Sequence, residues 1–88
     1  MANDFDWTCG EKPGNSLPIK WPVTAAEVRN DGVLCHFKSP VGHLFFRRIP
    51  ATPCQYREWV AGLEVEWAMP WIGEELWEVF KTGYPNKV

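Results

Sequence analysis

Residues 26–49, AEVRNDGVLCHFKSPVGHLFFRRI, decide the fold. Two turn signals cut this stretch into three short runs rich in β-branched and aromatic residues. Asp31-Gly32 is a two-residue hairpin signal, because a type I′ turn needs positive φ at both central positions. That turn pairs Asn30 with Val33, Arg29 with Leu34, Val28 with Cys35 and Ala26 with Phe37. Ser39-Pro40-Val41-Gly42 matches a type I turn closed by a left-handed glycine. It pairs Phe37 with Phe45, Cys35 with Arg47 and Val33 with Ile49. One sheet face then carries Ala26, Val28, Val33, Cys35, Phe37, Phe45 and Ile49. The other carries Glu27, Arg29, Leu34, His36, Lys38, Leu44, Phe46 and Arg48. A slip of one residue would exchange the faces, and only this assignment gathers the apolar set on one side.

Beyond Pro50 the apolar period changes from two to 3.6. Thr52-Pro53-Cys54-Gln55 is a capping box, with Thr52 as N-cap, Pro53 at N1 and Gln55 at N3. Tyr56, Trp59, Val60, Leu63 and Trp67 follow as one helical stripe, with Gly62 inside it, until Pro70 breaks the run. A second helix carries Ile72, Leu76, Val79 and Phe80, with Glu74 and Glu75 in its first turn and Gly83 at its C′ position. Residues 1–20 are turn-rich and read as an irregular N-terminal segment whose Phe5, Trp7 and Ile19 tuck against the rest. The expectation is a single α+β domain over residues 1–88. A three-stranded antiparallel β-meander (21–50) is followed by two helices (52–83) packed on one face.

Composition bounds the function. With 88 residues, 45% hydrophobic and 23% charged, the chain has the make-up of an ordinary small globular domain. No apolar run exceeds four residues and the acidic start lacks a signal-peptide h-region, so neither a membrane span nor a secretory signal is expected. Cys9, Cys35 and Cys54 are odd in number and widely spaced, which argues against a disulfide framework and for reduced cysteines in the cytoplasm. The net charge of −2 hides an asymmetry. Residues 1–50 hold five acids and six bases, whereas residues 51–88 hold six acids and three bases.

No catalytic or cofactor motif stands out, and neither a metal nor a cofactor is expected. Cys35 and His36 point to opposite faces, and no C-x2-C or H-x3-H spacing occurs. Two surfaces remain. On the second sheet face, Arg29, His36, Lys38, Phe46 and Arg48 combine bases with an aromatic ring, as a nucleic-acid-binding face would. Glu27 on that face weighs against it, and a solvated sheet face is the plainer reading. Six tryptophans are many for this length, and four lie between Trp59 and Trp77. Trp59 and Trp67 fall on the first stripe and are expected in the core. Trp67, Met69, Trp71, Trp77 and Tyr84 form the candidate partner-binding corner, since aromatic anchors concentrate binding energy at interfaces. The expected function is therefore a small non-catalytic protein-binding module, an intracellular inhibitor or adaptor that occludes another protein. Its size and acidity fit the accessory proteins of bacteria and their viruses, including phage inhibitors of host defence. Nucleic acid is the less favoured partner, and monomer and homodimer stay open.

Overall fold

The computed structural model describes residues 7–85. Three antiparallel strands, β1 (Val23–Arg29), β2 (Gly32–Lys38) and β3 (Leu44–Ile49), form a sheet in the order β1-β2-β3. Helices α1 (Pro53–Val60), α2 (Val65–Ala68) and α3 (Glu74–Thr82) follow. This is the α+β meander with helices that the patterning predicts, with three helices where two were expected. No helix among the described residues is long and apolar enough to cross a membrane.

The second hairpin has the expected register, Phe37 opposite Phe45, Cys35 opposite Arg47 and Val33 opposite Ile49. Ser39 closes it by accepting the His43 amide at 3.0 Å on its hydroxyl, and the Gly42 amide at 2.9 Å on its carbonyl. The first hairpin is slipped by two residues from the expected pairing: Val28 faces Val33 and Arg29 faces Gly32, leaving Asn30-Asp31 as the corner. Neither corner residue has positive φ, so the turn is not type I′. Gly32 enters the strand because a Cβ there would lie 2.3 Å from the Ile49 carbonyl oxygen. The glycine thus serves a close approach of β3 as well as the turn. Because the side-chain period is two, a slip of two leaves the faces intact. Ala26, Val28, Val33, Cys35, Phe37 and Ile49 are buried, and His36 lies on the opposite face. A bulge between Val23 and Ala25 turns Val23 inward as well.

The segment before β1 is less irregular than expected. Gly14 and Leu17 donate their amides to the Val28 and Ala26 carbonyls, and Val28 donates back to Asn15. These bonds cover the outer edge of β1, and Leu17 is buried beside it. Trp7 is half-buried, whereas Ile19 is exposed rather than tucked in, and Phe5 lies outside the described residues. A disulfide joins Cys9 to Cys54 across 45 residues of sequence, which corrects the reading of unpaired cysteines. Beside it, the Arg57 guanidinium makes a two-pronged pair with Glu11, both contacts at 3.1 Å. Cys35 stays a thiol in the core, and burial pushes its pKa up, so it is a poor nucleophile there.

The capping box forms as read. Thr52 Oγ1 accepts the Gln55 amide at 3.2 Å, and Gln55 Oε1 accepts the Thr52 amide at 3.1 Å. The stripe beyond it does not hold. Gly62 takes φ of 122°, conformation that ends α1 at Val60 instead of continuing to Pro70. The chain restarts in a new phase that buries Val65, Ala68, Met69 and Ile72 and turns Leu63 and Trp67 outward. Phe80 of α3 then meets Phe37 and Trp59 edge-on, with ring centres 5.3 and 4.8 Å apart, tying helices to sheet.

Candidate functional site

The restart after Gly62 builds the corner that carries the exposed indoles. Trp67, on the single turn of α2, is 76% exposed. Trp71, in the connection to α3, is 52% exposed and donates its indole N–H to the Pro50 carbonyl. That bond fixes the ring's direction while leaving half of it in solvent. Trp77 is half-buried, packs against the core and donates its indole N–H to the Met69 carbonyl at 3.0 Å. Met69 itself has no exposed surface, so it is corrected from a contact residue to a core residue. Its inward turn follows from the new phase, which puts Val65, Ala68 and Met69 on one side and Trp67 on the other. Tyr84 is exposed just past α3, with its amide donated to the Thr82 hydroxyl. Of the five expected contacts, Trp67, Trp71 and Tyr84 are at the surface, Trp77 is split between core and surface, and Met69 is withdrawn.

A surface ion pair between α2 and α3 underlies the corner. Lys81 on α3 bonds Glu66 on α2, and this hydrogen bond holds the Glu66 carboxyl below its usual range and the Lys81 ammonium above its own.

The uncovered sheet face is more apolar and less cationic than its composition suggests. Leu44 and Phe46 are exposed, and His36 lies tilted against Phe46 with ring centres 5.8 Å apart. Arg48 pairs with Asp31 at 3.0 Å and Arg29 with Glu27 at 3.4 Å, so two of the bases expected to meet phosphate are already neutralised. Lys38 makes no ion pair among the described residues. A face with so little uncompensated positive charge attracts a polyanion weakly.

One surface escaped the reading of the sequence. Trp21, 57% exposed, stands with Leu63 at the rim of a pocket of about 180 Å³, and Lys20 and Trp59 also line it. Its signal was Lys20-Trp21 followed by Pro22, an aromatic in a turn where no strand or helix would bury it. Among the described residues, no three His, Cys, Asp or Glu side chains converge as metal ligands would. No protein-family model matches the chain, and neither a curated protein nor a solved structure does.

Proposed function

We propose that this chain is a small non-catalytic protein-binding module, an adaptor or inhibitor that occludes its partner with the Trp67–Trp71 corner. The observation that carries the reading is the exposure of Trp67. Its helix has four residues, Glu66 is tied to Lys81, and Val65, Ala68 and Met69 are buried, so the phase of the turn directs the ring outward. Indole rings bury roughly 150–250 Å² in contacts, and covering about 150 Å² at ~25 cal/mol per Å² is worth on the order of 4 kcal/mol before association costs. Trp71, oriented by its bond to Pro50, extends the same anchor. The cysteines offer no ready nucleophile, two being joined and one buried with its thiol protonated. An inhibitor of host defence carried by a bacterial virus is the form that size and acidity favour. The cytoplasmic expectation loses its argument with the Cys9–Cys54 bond, because disulfides persist mainly in oxidising compartments, and location is no part of the proposal. Affinity capture from the encoding organism, with wild type beside a Trp67→Ala/Trp71→Ala double variant, tests the reading. A protein retained by wild type and lost with the double variant is expected; one retained equally by both contradicts it.

A further inference from the structure

We infer that the pocket between the Lys20-Trp21 turn and the α1–α2 connection binds a carboxylate carried on a short apolar body. The site shares α2 with the Trp67–Trp71 corner but does not depend on that reading.

Lys20 is half-buried as a residue, and its ammonium lies 4.8 Å over the Trp59 ring and donates to the Trp59 carbonyl at 2.9 Å. An ammonium has three donors, and no carboxylate pairs with this one among the described residues. Taking a cation out of water without a counter-charge is unfavourable, and stacking on an indole offsets only part of that cost. The Trp59 carbonyl does not require the lysine, since the Gly62 amide already donates to it at 3.0 Å. Lys20 is therefore a cation held at a pocket with donors to spare.

The walls define what fits. Lys81, which also lines the pocket, is paired with Glu66, so Lys20 is the lining cation without a carboxylate partner among the described residues. Glu64 also lines the pocket and does not pair with Lys20. One cation beside one rim carboxylate suits a monoanion and repels a phosphate dianion. Trp59, Trp21 and Leu63 supply apolar surface around the charge. A volume of about 180 Å³ is below the roughly 300–1,000 Å³ of ordinary ligand pockets and accommodates one apolar side chain with its carboxylate. The C-terminal residue of a peptide and a small branched carboxylic acid share this chemistry.

The test is a titration of the full chain followed by NMR at the indole N–H of Trp21 and Trp59. The probes are N-acetyl-leucine, its amide, 4-methylpentanoate and inorganic phosphate. N-acetyl-leucine should give saturable shifts with a dissociation constant on the order of millimolar, as the efficiency of small ligands allows. The amide and phosphate should bind at least tenfold more weakly. Lys20→Met should weaken N-acetyl-leucine at least tenfold, and Lys20→Arg should retain it. Glu64→Gln, away from the Lys20–Trp59 contact, should strengthen carboxylate binding severalfold and admit phosphate. If 4-methylpentanoate equals N-acetyl-leucine, the ligand is a small acid; if it is much weaker, the site takes a peptide terminus. Equal binding of amide and acid, unchanged affinity in both Lys20→Met and Glu64→Gln, or no saturable shift would overturn the proposal.

Discussion

Breaking the bond between Cys9 and Cys54 should remove a large share of this domain's stability. The bond closes a loop of 45 residues. In the chain-entropy treatment, such a loop lowers the entropy of the unfolded chain by about 13 cal/mol/K, or about 4 kcal/mol at 25 °C. Domains of this length have total stabilities of only about 5–10 kcal/mol, so the effect is decisive. The native fold should survive a Cys9→Ser/Cys54→Ser double variant, because the Arg57–Glu11 pair and the bonds from Gly14 and Leu17 to β1 still hold the segment. Urea unfolding reads the result: at a slope of about 2 kcal/mol per M, the midpoint should fall by roughly 2 M, with a steeper slope as the unlinked chain expands. Thiol counting supplies an independent check. Native protein should expose no reactive thiol, and unfolding without reductant should reveal one, the buried Cys35. Three thiols in the unfolded, unreduced protein, or the same midpoint with and without reductant, would refute the reasoning.

Thr52→Ala should cost about 1 kcal/mol by removing the hydroxyl that accepts the Gln55 amide, read as a lower urea midpoint. Gly32→Ala should cost roughly 2–3 kcal/mol, since its Cβ would strike the Ile49 carbonyl; Gly42→Ala, with open space around it, should cost less. The Lys81–Glu66 bond lowers the carboxyl's pKa in the folded state, so its stabilisation is present above the unfolded carboxylate range and lost as pH falls through the lowered value. Accordingly, the midpoint difference between wild type and Lys81→Ala should be present at pH 7 and vanish in acid.

The sheet was legible because its information is local. Ser39-Pro40-Val41-Gly42 contains the full chemistry of its turn, and Phe45 and Ile49 fall where that turn places them. Asp31-Gly32 misled by two residues because the demand on Gly32 comes from Ile49 on the neighbouring strand β3, 17 residues further along the chain, rather than from the turn's own residues. The faces survived, so Cys35 and His36 were assigned correctly. The helical region failed at Gly62: Leu63 and Trp67 continue the apolar spacing of Tyr56 and Trp59, but Val65, Ala68 and Met69 offer a competing stripe, and the break selects it. Trp67 thereby passed from expected core to exposed surface, and Met69 from expected surface to core. The Cys9–Cys54 pairing depends on how the N-terminal segment runs beside α1, which spacing alone does not encode. The Lys20 pocket was legible only as an aromatic in the Lys20-Trp21-Pro22 turn, since its walls come from three separated segments.

The central claim is that the outward turn of Trp67 makes it the anchor for another protein. Its most direct test is calorimetric titration of the captured partner with wild type, Trp67→Ala and the sheet-face variant Lys38→Glu/Arg48→Glu, with urea midpoints measured alongside. The account predicts that Trp67→Ala weakens binding by about 30-fold or more, the equivalent of a ~2 kcal/mol hot spot, at an unchanged midpoint, while the sheet-face variant binds within severalfold of wild type. Wild-type affinity for Trp67→Ala together with loss of binding by the sheet-face variant would contradict it and move the site to the face of Phe46 and Lys38.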